Sequence, residues 1–223
     1  MAQPWQTIDK AETPDGILEL RRRGKSDFLI MINNRVLMNS SASRSERALG
    51  VQACDLVAAR KNPRVLIGGL GMALTLRAAL DSLPALARFV VAELNPVVAG
   101  WCRGPLAGLT ENAASDPRVT IVVDDVANVI AEAAHAEQKF DAIIIDLYEG
   151  PGSAPDAGND PFYGNRALRI TAAALAPGGV FAVWGENTDT AFEKRLAAAG
   201  FSVRRLRPGK GGLRHVIYVA RVN

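Results

Sequence analysis

The sequence predicts an α/β protein with a doubly wound, mostly parallel sheet, and two observations support this fold class. From Arg64 onward, short apolar stretches alternate with segments of helical periodicity, which is typical of parallel strands joined by crossover helices. The first stretches, such as Val65–Ile67, are apolar at every position, as expected for strands that helices cover on both faces. The chain has 223 residues, 48% of them hydrophobic, which is enough for one full-sized domain.

The strands and helices of this domain follow in order along the chain. We expect seven strands, at residues 64–68, 88–93, 118–123, 140–146, 179–184, 202–207 and 214–221. Helices are expected near 73–83, 96–108, 126–137, 164–176 and 189–199. A further helix, capped by Ser43 or Ser45, should run through Arg60 before the first strand. The last two strands are separated only by the loop 208–213, which is too short for a crossover helix, so they should form an antiparallel hairpin.

A parallel sheet that ends in an antiparallel strand is the pattern of class I S-adenosylmethionine-dependent enzymes, which have a Rossmann-like fold. We assign residues 43–223 to such a domain and residues 1–42 to a small N-terminal β-element. The three strands expected in that element are Ile17–Leu20, Phe28–Ile32 and Arg35–Met38. Asn33–Asn34 should form the tight turn between the last two of them.

The composition argues against several classes of function. The 26 Lys and Arg residues nearly balance 23 Asp and Glu residues, and the net charge of +3 is too mild to predict a nucleic-acid partner. No apolar run reaches transmembrane length and the N-terminus lacks a signal-peptide core, so we expect a cytoplasmic protein without a membrane partner. Cys54 and Cys102 lack CxxC spacing, and the chain has two histidines, so we expect no metal site.

A glycine loop after the first apolar strand predicts a nucleoside-binding site. Gly68, Gly69 and Gly71 directly follow Val65–Ile67 and precede a helix, which brings bare backbone N–H groups and a helix N-terminus near a ligand. Glu93 ends the next strand, where a carboxylate can accept hydrogen bonds from two ribose hydroxyls. The loop lacks the third glycine of G-x-G-x-x-G, which disfavours a nicotinamide cofactor.

Acidic residues end three successive strands on the edge where an open α/β sheet binds ligands. After Glu93, Asp124 and Asp125 end the third strand, and Asp146 ends the fourth. Asp125 is either the N-cap of the following helix or an acceptor for an adenine amino group. Asp146 follows four apolar residues, so it is either a partly desolvated general base or a structural acid bonded to loop amides. The Gly- and Pro-rich loop 147–163 lies where a lid over the substrate would lie.

Five segments of the chain carry a resemblance to a known family. They are the glycine loop with the helix start Thr75-Leu76-Arg77, then VVAELNP, VVDD, FDAIIIDLYEGP and LAPGGVFAVWGEN. In order and spacing, they resemble the spermidine synthase family, the polyamine aminopropyltransferases, from about residue 30 to the end of the chain. The resemblance implies a transferase of polyamine biosynthesis that uses S-adenosylmethionine or its decarboxylated form as co-substrate. It also implies a small-molecule amine as acceptor, and a homodimer.

The resemblance further implies a role for each candidate site residue. The positions that match the family's cofactor site are Gly69, Gly71, Met72, Glu93 and Asp125. Of these, Glu93 would hold the ribose and Asp125 the adenine. Asp146 matches the family's catalytic aspartate, which would accept a proton from the amine, and Tyr148 and Glu149 would steer that amine.

Three departures from the family pattern leave the reaction open. Met72 stands where the family has an aspartate that contacts the amine of decarboxylated S-adenosylmethionine. Glu149 is the nearest acid to the second aspartate of the family's DSSDP segment, and residues 38–46 lack the aromatic and glutamine side chains that usually line the diamine site. Three hypotheses remain: an aminopropyltransferase-like enzyme, a methyltransferase that uses ordinary S-adenosylmethionine, and a non-catalytic protein that binds a nucleoside or a partner subunit.

Overall fold

The computed structural model describes residues 3–148, 150–152, 156–208 and 215–223. The N-terminal part is a four-stranded antiparallel sheet in which the strands follow one another in chain order. They are β1 (Gln6–Thr13), β2 (Gly16–Arg23), β3 (Asp27–Ile32) and β4 (Arg35–Asn39). The sequence predicts the last three. It does not predict β1, because the polar sequence QTIDKAET forms an edge strand whose residues are exposed or half-buried.

The turn between β3 and β4 is formed by Asn33 and Asn34. Both residues have positive φ angles, 46° and 65°, a left-handed conformation that asparagine tolerates better than most residues. The Asn33 side chain also accepts a hydrogen bond from the backbone N–H of Ile17 (3.0 Å), which ties the turn to β2. The predicted tight turn is confirmed.

After helix α1, strands and helices alternate along the chain. The elements are α1 (Arg44–Cys54), β5 (Arg64–Gly68), α2 (Leu74–Ser82), β6 (Arg88–Glu93), α3 (Pro96–Arg103), β7 (Val119–Val123), α4 (Val126–His135), β8 (Phe140–Ile145), α5 (Asn165–Ala174), β9 (Leu175–Gly185), α6 (Thr190–Ala198), β10 (Phe201–Leu206) and β11 (Val216–Val222). The seven strands form one sheet in the order β10-β11-β9-β8-β5-β6-β7. All neighbours are parallel except β11, which runs antiparallel to β9 and β10. The predicted doubly wound, Rossmann-like sheet is confirmed.

Several helices end earlier than the sequence predicts, among them α1, α3 and α5. α1 ends at Cys54, where the N–H of Val57 bonds the Cys54 carbonyl (3.0 Å) and the chain tightens into turns. α3 ends at Arg103. α5 ends at Ala174, since Pro177 follows closely and cannot continue a helix. Within the part of the chain that the structure describes, no helix combines the length and apolar character needed to span a membrane.

Two apolar clusters, one on each face of the larger sheet, form the core. Alternate residues of β5 contribute to opposite clusters, with Val65 and Ile67 in one and Leu66 in the other. Side chains of α1, α2 and α3 belong to the first cluster, and those of α4, α5 and α6 to the second. The N-terminal sheet adds Leu20 and neighbouring β-strand residues to the first cluster. The domain boundary after residue 42 stays a prediction.

Candidate active site

A cavity of about 1170 Å³ lies at the carboxyl ends of the central parallel strands. The ends of β5, β6, β7 and β8 contribute Gly69, Glu93, Asp125 and Asp146 to its lining. Strand β4 and the first turn of α1, which contains Glu46, also line the cavity. The structure therefore brings the predicted acidic strand ends and the glycine loop together, at the edge where open α/β sheets bind ligands.

Gly69 allows the glycine loop to cross directly over the end of β8. Its φ is 88°, and its N–H donates to the Ala92 carbonyl oxygen (2.9 Å). A Cβ atom built on Gly69 would lie 2.5 Å from the carbonyl oxygen of Asp146. Only glycine combines this backbone conformation with this close approach, so the loop residue and the strand-end acid occupy fixed relative positions.

The structure does not bring Met72 to the cavity. The side chain of Met72 is fully buried in the first apolar cluster, beneath the loop. Gly71 (φ 50°) lines the cavity instead, and a Cβ on Gly71 would lie 2.8 Å from the sulfur of Met38. The same sulfur accepts the backbone N–H of Met72 (3.3 Å). A long apolar side chain gains more from burial than from facing a polar cavity, so at this bend the lining consists of Gly71 and Met38.

The Glu93 carboxylate connects the end of β6 to the glycine loop. One oxygen accepts the backbone N–H of Leu70 and the other accepts that of Asn95, both at 2.9 Å. The residue is buried, with 8% of its surface exposed, and it lines the cavity. A carboxylate has about four acceptor positions, so these two bonds leave acceptor capacity for a ligand.

Asp125 is the N-cap of α4. Its Oδ1 accepts the N–H of Ala127 (2.8 Å), and its own N–H donates to the side chain of Asp124 (2.7 Å). Both aspartates line the cavity. The capping interpretation of Asp125 is confirmed, and the adenine contact stays a prediction that this location allows.

Asp146 directly follows β8 and is held at its backbone and its side chain. Its N–H donates to the Gly68 carbonyl oxygen (2.9 Å), and its Oδ2 accepts the Thr75 hydroxyl (2.5 Å). Burial raises the pKa of Asp146 to about 7, the Thr75 hydrogen bond opposes the rise, and the Glu46 carboxylate adds to it. A carboxyl group that titrates near neutral pH is suited to proton transfer.

Sequence reasoning missed Glu46 and Thr75 as site residues. Glu46 lines the cavity, and its carboxylate accepts the Ser45 hydroxyl (2.8 Å). That hydroxyl lies 3.1 Å from a ring nitrogen of His215, and the His215 ring packs edge-on against Trp184. The available signals were weak: a polar residue within the apolar segment of α2, and an acid in the first turn of α1.

The structure describes only one of the two residues expected to steer the amine. Tyr148 lines the cavity, is 40% exposed, and packs its ring against the guanidinium of Arg35 (4.8 Å). Glu149 lies outside the described residues. The steering role of both residues stays a prediction.

Comparison with known families identifies the chain. The family model for the spermine/spermidine synthase domain matches residues 51–197, which is more than half of the chain. The chain belongs to this family. The match includes the glycine loop and all of the acidic strand ends, so the resemblance inferred from those segments is confirmed.

Curated members of the spermine/spermidine synthase family match over part of their length. A polyamine aminopropyltransferase of Mycobacterium tuberculosis is 32% identical over 145 residues, which cover 62% of this chain and 27% of that protein. A polyamine aminopropyltransferase of Shewanella oneidensis is 30% identical over 200 residues, which cover 83% of this chain and 34% of that protein. The alignments thus span about a third or less of these relatives.

Solved structures of spermidine synthases share the fold. The crystal structure of spermidine synthase from Thermotoga maritima matches with a TM-score of 0.72 and 18% identity, over 96% of this chain and 72% of that one. A spermidine synthase in complex with the transition-state analogue AdoDATO gives a TM-score of 0.71 and 18% identity, over 96% and 71%. At this identity the likeness supports the fold alone.

In this family member, the cavity is rich in acids. Among the described lining residues, the acids are Glu46, Glu93, Asp124, Asp125, Asp146, Glu186 and Asp189, and the basic residues are Arg35, Arg195 and His215. Arg195 is paired with Asp189 (3.4 Å). This balance favours a cationic ligand. Across the described ranges, no group of three or more His, Cys, Asp or Glu side chains is placed to hold a metal ion.

Proposed function

We propose that the chain is an aminopropyltransferase of the spermidine synthase type, with decarboxylated S-adenosylmethionine as donor and a small-molecule amine as acceptor. The observation that carries the proposal is the position of Asp146. Asp146 lines the cavity at the end of β8, and burial raises the pKa of its carboxyl group to about 7. An alkylamine is protonated at neutral pH and must lose a proton before it attacks carbon. Asp146 is the group that accepts this proton.

The nucleoside part of the donor would be held by the strand ends beside the glycine loop. The loop backbone at Gly69 and Gly71 approaches the ligand without side chains. Glu93 accepts hydrogen bonds from the ribose hydroxyls, and the second carboxylate oxygen of Asp125 accepts one from the adenine amino group. Because Gly69 lies directly against Asp146, these contacts would bring the sulfonium centre near that residue.

The reaction would then be a direct displacement at carbon. The amine nitrogen forms a bond to the aminopropyl carbon next to sulfur, the carbon–sulfur bond breaks, and its electron pair returns to sulfur as methylthioadenosine leaves. The proton of the attacking amine passes to Asp146. Alignment of nitrogen, carbon and sulfur supplies most of the remaining acceleration, and the surrounding acids, such as Glu46, favour the two cationic reactants.

One observation favours a second candidate, a methyltransferase that uses ordinary S-adenosylmethionine. At the bend of the glycine loop, the cavity lining consists of Gly69, Gly71 and Met38 of β4, and none of these is an acid that would pair with an aminopropyl ammonium. Glu93 and Asp125 would hold the nucleoside in the same way. A homodimer and a cytoplasmic location stay predictions for either candidate.

Product analysis separates the candidates. The purified protein is incubated with linear diamines and polyamines and with either decarboxylated or ordinary S-adenosylmethionine, and the products are identified by mass spectrometry. We expect the amine to gain one aminopropyl group with release of methylthioadenosine. Gain of a methyl group with release of S-adenosylhomocysteine would support the second candidate. Binding of methylthioadenosine without turnover of any amine would support the non-catalytic hypothesis.

The Glu93→Gln substitution tests the nucleoside site. Glutamine has one acceptor oxygen for the N–H groups of Leu70 and Asn95 and for the ribose, and it carries no charge. Loss of one charge-assisted hydrogen bond should weaken methylthioadenosine binding by about 10- to 100-fold in titration calorimetry. Glu132→Gln, at an exposed position on α4, is the matched control and should bind like the wild type. Equal affinity in Glu93→Gln would remove Glu93 from the ribose site.

A further inference from the structure

The Thr75 hydroxyl has one proton and two acceptors. Its Oγ1 lies 2.5 Å from Oδ2 of Asp146 and 3.1 Å from the backbone carbonyl oxygen of Glu46. A carbonyl oxygen only accepts hydrogen bonds, whereas a carboxyl group accepts when charged and can also donate when protonated. The hydroxyl therefore has two arrangements: it donates to a charged Asp146, or it donates to Glu46 and accepts from a protonated Asp146.

The packing of α1 against α2 fixes the position of this hydroxyl. Thr75 is the second residue of α2 and is 3% exposed. A Cβ built on Gly50 of α1 would lie 2.6 Å from the Thr75 carbonyl oxygen, so the two helices are in direct backbone contact here. A buried hydroxyl must be hydrogen-bonded, and at Thr75 both available partners belong to the cavity wall.

None of the other described groups around Asp146 lowers its pKa. The Glu46 carboxylate of α1 raises the pKa of Asp146. Tyr163, which precedes α5, is a buried phenol whose own pKa is raised by burial and by the charges of Asp160 and Asp146. His215, before β11, contacts the Ser45 hydroxyl that also bonds Glu46. Among the described groups that act on the Asp146 pKa, Thr75 alone lowers it.

We propose that Thr75 is a positioning residue that sets the proton state and orientation of Asp146, an inference that rests on the proposed function. The Thr75 hydroxyl donates a hydrogen bond to Oδ2 of the charged carboxylate, which leaves the other carboxylate oxygen for the acceptor amine. During the reaction an N–H bond of the amine breaks, the electron pair stays on nitrogen for the attack, and the proton passes to Asp146. The Thr75 hydroxyl then donates its hydrogen bond to the Glu46 carbonyl oxygen and accepts one from the protonated Asp146.

The Thr75→Val substitution keeps the side-chain shape and removes the hydroxyl. Without that hydrogen bond the pKa of Asp146 rises, so the base is protonated over a wider pH range. The acidic limb of the kcat/KM pH profile should move upward by about one to two pH units, which corresponds to one hydrogen bond to a charged group. Thr75→Ser retains a hydroxyl and should restore the wild-type profile. Thr171→Val is the matched control, since Thr171 is buried and donates to the Ala167 carbonyl within α5 (3.0 Å), and its profile should not move.

A second readout does not depend on turnover. The carboxyl band of Asp146, identified by its loss in Asp146→Asn, is titrated by infrared difference spectroscopy in the wild type and in each Thr75 variant. The same upward shift in Thr75→Val supports the inference even if no amine is alkylated, in which case only the proposed function fails. An unshifted carboxyl titration, or an unshifted acidic limb in an active enzyme, overturns it. Thr75→Ala replaces Thr75→Val in both measurements if circular dichroism shows that the valine variant is unfolded.

Discussion

Asp146→Asn is expected to slow amine alkylation by about 10²- to 10⁴-fold, the usual contribution of a positioned general base. Asparagine has the same size as aspartate and can still accept the Thr75 hydroxyl, but it cannot take up a proton. Nucleoside binding should persist, because Glu93 and Asp125 remain in place. Mass spectrometry of the alkylated amine measures the rate, and calorimetry with methylthioadenosine measures binding.

A surface aspartate provides the control for this substitution. Asp81 on α2 is largely exposed and pairs with Arg77 one helical turn away, so Asp81→Asn removes a carboxylate without touching the cavity. Its alkylation rate should equal that of the wild type. If Asp146→Asn retained the wild-type rate, Asp146 would not be the general base.

As the pH rises, the Asp146→Asn variant should gain stability relative to the wild type. The unfolded carboxyl group loses its proton near its ordinary pKa of 3.8, whereas the folded one keeps it until about 7. Between these values the folded wild type binds more protons than the unfolded chain, so its stability falls as the pH rises. Asparagine does not ionise. The melting temperature of the variant relative to wild type should therefore increase from about pH 5 to about pH 8 in a thermal scan, and a constant difference would contradict the raised pKa.

The features that the sequence predicts are those that depend on local patterns. The apolar run before Asp146 predicts a buried strand, and Glu93 and Asp125 follow similar runs. Because parallel strands end at one edge of a sheet, these acids must lie near one another. The polar strand β1 carries no such pattern and is therefore not predicted, although it pairs along its length with β2.

The features that the sequence does not predict depend on backbone direction and on contacts between distant residues. The Met72 side chain points into the core because the backbone is left-handed on both sides of it, at Gly71 and Ala73. The amino-acid sequence alone does not reveal these φ angles. Thr75 and Asp146 are 71 residues apart in the chain. Their hydrogen bond follows only once β5 and β8 are known to be neighbours.

Gly69→Ala should damage both stability and the candidate site. Its φ of 88° is strained for alanine, and the new Cβ would meet the Asp146 carbonyl oxygen at 2.5 Å, where backbone atoms must move. We expect a loss of about 2 kcal/mol or more in the free energy of unfolding, and a melting temperature lower by about 4–8 °C for a chain of this size. Because the displaced atoms belong to Asp146, a shift of about 1 Å should also lower the alkylation rate by about 10²-fold.

Gly100→Ala distinguishes this effect from a general response to replacing glycine. Gly100 lies on the exposed side of α3, and a Cβ built there meets nothing within 4 Å. Alanine in an exposed helix interior should raise stability by about 0.5–1 kcal/mol, with no change in the alkylation rate. Calorimetric unfolding of both variants tests the expected stabilities, and measurements of the alkylation rate test the expected activities. A Gly69→Ala protein as stable and as active as Gly100→Ala would mean that the glycine loop does not fix the position of Asp146.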